Sequence, residues 1–173
     1  MILVLTGGVG GAKLANGLAH TFRPEELTIV VNTGDDFMHL SYFICPDLDS
    51  TLYKLAGIND LERGWGIRQE TWNFMNTLKE VGGADWFKLG DKDLATHIDR
   101  TKRLSEGQTL SDVTQALCRK HNVSHSIVPM TDHRVGTIVD TVEGDFFFQD
   151  YFVLSRIHFA AHTSPDRRGC CGG

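Results

Sequence analysis

The chain has 173 residues, 41% of them hydrophobic and 23% charged, with a formal net charge of −5. That balance suits one folded domain with a sizeable core, and the acidic charge speaks against a general nucleic-acid or anionic-membrane surface, leaving room for a local basic pocket. No apolar stretch approaches the roughly 20 residues of a spanning helix, and Met1 leads straight into a strand-like run, so the expectation is a cytoplasmic protein with no nucleic-acid and no membrane partner.

Ile2 to Leu5 is a short apolar run of the kind that forms a buried parallel strand, and Leu14, Leu18 and Phe22 follow at helical spacing. Between them stand Gly7, Gly8, Gly10 and Gly11. Backbone free of Cβ atoms at a helix start lets N–H groups close on a phosphate, helped by the helix dipole; a purely structural tight turn fits the same residues. Lys13 stands where the dinucleotide fingerprint has a glycine, and Leu14 where the Walker loop has Ser or Thr. Leu27 to Val31 reads as a second strand, which completes a βαβ unit. It ends on Asn32, where a nicotinamide dinucleotide would ask for an acid to hold its ribose. A phosphorylated ligand other than NAD is therefore favoured.

Asp35 and Asp36 follow at the carboxyl edge of that strand, where open α/β sheets bind ligands. Adjacent carboxylates beside a phosphate loop call for a cation, and Mg²⁺ suits them because it accepts one or two carboxylates alongside phosphate oxygens. A solvated Asx turn is the competing account. Pro46-Asp47-Leu48-Asp49-Ser50 opens a helix with Leu48, Leu52, Leu55 and Ala56 on its apolar side, ending near Gly57. Asp47 and Asp49 raise the carboxylate density near the same edge, although either could serve as a helix-start acid.

Glu70 to Val81 reads as a helix with Trp72, Met75 and Leu78 on one face, Trp72 being assigned to the core. Trp86 to Leu89 is an apolar run, followed by Gly90, Asp91, Asp93 and a helix carrying Thr96, His97 and Arg100. One account makes Asp91 an N-cap, Asp93 a first-turn acid, and His97 and Arg100 surface neighbours. The other makes this segment a polar wall for a substrate with several hydroxyls. His20, His121, His125, His158 and His162 fall on helix ends, turns or the tail and are expected to be solvated; Cys45, Cys118, Cys170 and Cys171 lack metal or disulfide spacing and read as buried thiols. Thr109 to His121 forms a further helix and Ile127 to Met130 a strand, with a hairpin made by Thr137 to Val142 and Phe146 to Val153. The expected fold is α/β, a Rossmann-like parallel sheet with a helical insertion and a β-hairpin. It fills residues 1–156; residues 157–173 lack apolar periodicity and read as a disordered tail.

GGVGGAKL, VVNTGDD, CPDLDS, RGWG, ETW, WFKLGDKDLATH, Arg100, VPMTD and FFFQDYFV, in this order, closely resemble the 2-phospho-L-lactate transferase family of coenzyme F-420 biosynthesis. The resemblance implies transfer of a lactyl or enolpyruvyl phosphate from a guanosine diphosphate-linked donor to a deazaflavin precursor with a ribityl chain, releasing GMP. It implies that Gly7, Gly8, Gly10, Gly11 and Lys13 hold the diphosphate. Asp35 would bind Mg²⁺, supported by Asp36, Asp47 and Asp49, with Asn32 beside them, and Asp91, Asp93 and His97 would line the chromophore side. The base that takes the ribityl proton is expected to be Asp49 or Asp36, with His97 as an alternative. A homodimer is the prior for the assembly. Two departures stand out: Ser50 replaces the usual Thr, and the family's second half, with its Pro-Ser-Asn-Pro loop, is not found, so an inactive fragment competes with an active enzyme. A related group of sugar-nucleotide-binding regulators shares the opening loop, but PDLD and LGDKDLATH argue against it.

Overall fold

A computed structural model describes residues 1–141 and 144–153. In chain order, β1 (Ile2–Thr6), α1 (Gly8–Ala19), β2 (Leu27–Val31), β3 (Phe37–His39) and β4 (Tyr42–Ile44) lead to α2 (Pro46–Leu55), α3 (Asn73–Glu80), α4 (Asp91–Ser105) and α5 (Leu110–Lys120). β5 (Ser126–Pro129), β6 (Ile138–Thr141) and β7 (Gly144–Phe147) complete the named elements. β1, β2 and β5 form a parallel sheet in the order β1-β2-β5, with Leu5 opposite Val30 and Val30 opposite Val128. The Rossmann-like α/β architecture read from the sequence is therefore present.

Period-two alternation sets which side chains go inward. Leu27, Ile29, Val31 and Ile127 point to one face, where Ala15 of α1, Leu48 and Leu52 of α2, and Val113 and Leu117 of α5 cover them. α1 departs from expectation here. Its buried residues are Ala12 and Ala15, small enough to bring α1 close to α2, whereas Leu14 is 54% exposed. The opposite sheet face carries Leu3 (55% exposed), Leu5 (73%) and Met130 (55%) beside half-buried Val30 and Val128. β1, expected to be buried, is thus covered on one side only among the described residues, although parallel sheets usually have both faces covered.

The insertion has its own small core of Ile44, Met75, Leu89 and Leu94, flanked by Phe37 and Phe87. Its base is the β3–β4 hairpin, whose three-residue strands went unrecognised in the sequence. Leu40 (φ 50) and Ser41 (φ 65) form its two-residue turn in the left-handed region, where Asn-Gly is the favoured pair. Ser41→Gly is expected to raise stability by about 0.5–1 kcal/mol, read as a higher urea midpoint at unchanged slope. Near the end of the described chain β6 and β7 pair as expected, but 148–153 is helical, so the second arm of the hairpin is shorter than Phe146 to Val153. The tail expected at 157–173 lies outside the described residues.

Candidate active site

Two cavities meet at the carboxyl edge of the sheet. The first, of about 560 Å³, lies against Gly7, Gly8, Asn32, Asp35 and Asp47. Gly8 opens α1 at φ 63, and a Cβ on Gly7 would stand 2.9 Å from Asp47 Oδ2, so the chain and this carboxylate approach as closely as glycine allows. Asn32 acts as a strut. Its Nδ2 donates to Asp47 Oδ2 (3.0 Å) and its Oδ1 accepts from the Gly34 N–H (2.9 Å), tying the end of β2 to the start of α2. Gly11 packs on Thr6, while the Cβ position of Gly10 faces open space. Lys13 is exposed and lines a smaller recess with Ser50, Lys54 and Trp65, apart from the glycine cavity.

Asp35 and Asp36, adjacent in sequence, face different surroundings. Asp35 lines both cavities together with Asp47, and its carboxyl is raised above the ordinary range, first by burial and then by the Asp47 charge, against a hydrogen bond from Thr137. Asp36 lines neither. Burial pushes it up to about 8 against the pull of the Cys45 thiol and the Arg100 charge, so at neutral pH it is mostly protonated. The carboxylates brought together are Asp35 and Asp47.

The second cavity, of about 690 Å³, shares Gly8, Asp35 and Asp47 with the first and continues under Trp65, Trp86, Phe87, Phe148 and Phe152. Asp49, Tyr53, Asp93 and His97 form its polar side. Behind them Arg100, 2% exposed, grips Asp49 with both terminal nitrogens, Nη1 to Oδ2 at 3.1 Å and Nη2 to Oδ1. Nη1 also stands 3.2 Å from His97 Nδ1 and 3.4 Å from the Phe43 carbonyl. The Tyr53 hydroxyl donates to Asp93 Oδ1 at 2.6 Å. Burial raises the Asp93 carboxyl, but the neighbouring His97 ring, the hydrogen bond from Tyr53 and the charge of Arg100 outweigh it, so its value falls. Asp49, Asp93 and His97 offer atoms within 4.8 Å of one another, a metal-capable grouping whose cation is already supplied by Arg100. His97 and Arg100 are therefore interior groups and not surface neighbours.

Asp91 belongs to a different device. Its carboxylate accepts from Thr71 Oγ1 (2.6 Å), from the Asn73 N–H (3.1 Å) and side chain (3.0 Å), and from the Phe74 N–H (3.1 Å), capping the start of α3. In return Glu70, just ahead of α3, accepts from the Lys92 N–H (2.6 Å) and the Asp93 N–H (3.3 Å) at the start of α4. Each helix is capped by an acid from the other, over a separation of about twenty residues that a local cap search does not scan. These bonds hold the Asp91 carboxyl low, the Thr71 hydroxyl contributing most. The stability it adds is complete above the ordinary carboxylate range and is lost as pH falls through the lowered folded value. Asp91→Asn is expected to lower the urea midpoint at pH 7 and to flatten its fall between pH 5 and 3.

Two further side chains stand out around the aromatic cavity. His39, buried edge-on to Trp86 with centroids 4.9 Å apart, had no signal in the sequence because its hairpin had none. Trp72, assigned to the core, is half-buried; it meets Trp65 edge-on and the Arg63 guanidinium lies 4.9 Å over its ring. Among the histidines expected to be solvated, His20 is exposed at the end of α1, whereas His125 is half-buried and bonds the Phe22 carbonyl at 3.0 Å.

The family described as 2-phospho-L-lactate transferase CofD matches residues 2–168. A phosphoenolpyruvate transferase of Kitasatospora aureofaciens is 42% identical over 165 residues, covering 92% of this chain and 51% of the relative. The protein of that name from Streptomyces coelicolor is 42% identical over 167 residues, covering 94% and 52%. The one from Mycobacterium tuberculosis H37Rv is 40% identical over 182 residues, covering 94% and 55%. The chain spans about half the length of these relatives. With the family pattern running through the glycine turn, the PDLD helix and the α4 start, the chain belongs to the 2-phospho-L-lactate transferase CofD family.

Proposed function

We propose that this chain carries the phosphate-loop half of a transferase that moves a 2-phospho-L-lactyl or phosphoenolpyruvyl group from a guanosine diphosphate-linked donor to a deazaflavin precursor, releasing GMP. The observation that carries the reading is the junction at Gly8, Asp35 and Asp47. A glycine-lined cavity open to a diphosphate and an aromatic cavity fit for a flat ring share that one edge. The name of the relatives, phosphoenolpyruvate transferase, favours the enolpyruvyl donor.

Two partly desolvated carboxylates that repel one another beside a phosphate-accepting turn are a donor set suited to a hard divalent cation. Asp35 and Asp47 would hold Mg²⁺, which when bound supplies neutralisation of the charge on the phosphate oxygens. The start of α1 at Gly8 directs N–H groups at the diphosphate, and Asn32 keeps Asp47 turned toward it. The terminal ribityl hydroxyl oxygen would bond to the phosphorus that bears the three-carbon acid, the phosphorus–oxygen bond to GMP would break, and the hydroxyl proton would pass to a carboxylate at the junction. The aromatic side chains exclude water from that transfer and orient the ring. Asp49, fully engaged by Arg100, serves to fix the polar side of the cavity.

The test is direct. The 173-residue chain, and a version extended with the second half of the Streptomyces coelicolor relative, are incubated with deazaflavin precursor, either donor and Mg²⁺, and the phosphodiester and GMP are sought by mass spectrometry. Product from the extended chain supports the reading, and product from the shorter chain as well locates the whole apparatus in this half. Absence from both overturns it.

A further inference from the structure

The polar side of the aromatic cavity contains an orphan. His97 is 1% exposed, lines the cavity, and its Nε2 lacks a hydrogen-bond partner among the described residues; the nearest carboxylate oxygen, Asp93 Oδ1, stands 3.4 Å away. Its other nitrogen is not free to choose a role. Nδ1 lies 3.2 Å from Arg100 Nη1, and a guanidinium has five N–H donors and no acceptor. Nδ1 must therefore be the lone-pair nitrogen, which leaves the ring proton on Nε2. Arg100 cannot turn away to permit the other tautomer, because both its terminal nitrogens are held by Asp49 and Nη1 also reaches the Phe43 carbonyl.

Asp93 complements this group. Its Oδ1 takes the Tyr53 hydroxyl at 2.6 Å, and the carboxylate lines the same cavity as His97, one helical turn before it on α4. Side by side, then, stand a fixed N–H donor in want of an acceptor and an ionised acceptor with a second oxygen to offer. An alcohol satisfies both, since it accepts through its oxygen and donates through its proton. A carbonyl satisfies only the first, and an amide needs two separate atoms, its oxygen and its nitrogen, to meet both.

We infer that His97 and Asp93 form a hydroxyl-binding pair, with Arg100 as the positioning residue that fixes His97 as an Nε2–H donor, and that the group they take is an alcohol of a polyol chain attached to a flat aromatic ring. This rests on the proposed acceptor and deepens it by assigning the contact to the polyol and not the ring. It also removes His97 from the candidate bases, because one nitrogen carries its proton and the other is covered by Arg100.

Two measurements test it. The first is nitrogen-15 NMR of the histidine rings in the 173-residue chain at neutral pH. A bare Nδ1 and a protonated Nε2 at His97 are expected; the opposite tautomer or a doubly protonated ring overturns the assignment, and this result does not depend on any ligand. The second is fluorescence titration with riboflavin, which carries a ribityl chain, and lumichrome, the same kind of ring without one. His97→Leu and Asp93→Asn are each expected to weaken riboflavin about 10-fold while leaving lumichrome unchanged, and His97→Gln, which retains an amide donor at similar reach, to recover most of the loss. Equal loss for both probes would place the contact on the ring and overturn the inference. If the unsubstituted chain and its extended version bind neither probe, the proposed acceptor fails, and with it the polyol contact, while the NMR result decides the tautomer by itself.

Discussion

Arg100→Met is expected to destabilise the chain by about 3–5 kcal/mol, the usual consequence of removing one partner of a buried ion pair. The guanidinium is the counter-charge of Asp49, itself buried, and a methionine would leave that carboxylate in the interior without its cation. Domains of this size have only about 5–15 kcal/mol of stability to lose, so a fall in melting temperature of about 10 °C or more should follow. Urea unfolding at pH 7 measures it. The pair Arg100→Met with Asp49→Leu should recover a large part of the loss, because an apolar pair of similar volume removes the stranded charge. A single variant as stable as the parent would mean that Asp49 finds another partner or becomes protonated at little expense.

Asp35→Asn is expected to behave in the opposite sense. Its carboxyl is raised by burial and by Asp47, so the ionised form opposes folding above the ordinary carboxylate range, and the amide should leave stability unchanged or slightly higher. Transferase activity of the extended chain should fall by about 10²-fold or more, as expected when a group that neutralises transferring phosphate is lost, and Mg²⁺ binding measured by calorimetry should weaken with it. Asp36→Asn supplies the contrast. At pH 7 the native side chain is already mostly in its neutral form, so the amide is a close imitation, and both activity and stability should stay near those of the parent. Equal losses in the two variants would reject Asp35 and Asp47 as the metal-holding pair.

How much of this was legible in the sequence depended on range. β2 was read residue for residue because Leu27 to Val31 is a five-residue run between polar neighbours. β3 and β4 were invisible: three residues show no period, and a Leu-Ser turn gives no signal of positive φ. The inward face of α1 was misjudged because large side chains were weighed above small ones, when close approach to α2 selects Ala12 and Ala15. Local alternation could raise Asp47, Asp49, Asp93 and His97 as candidates. It could not show that Arg100 reaches Asp49 across 51 positions, or that the Asp91 carboxylate serves α3. The roles of adjacent acids were the hardest to read, since a turn can send Asp35 to the cavities and Asp36 to the interior.

The bare side of the parallel sheet bears on how this polypeptide behaves in a tube. Among the described residues β1 is an edge strand of the sheet, and its Leu3 and Leu5 continue into Val30, Val128 and Met130 as one greasy plane. A terminal strand with open backbone groups and an oily flank is a template for further strands. Purified by itself, the chain should show association that rises with protein concentration and eases when Leu5 is exchanged for lysine, so the concentration at which any assay is run becomes part of its result.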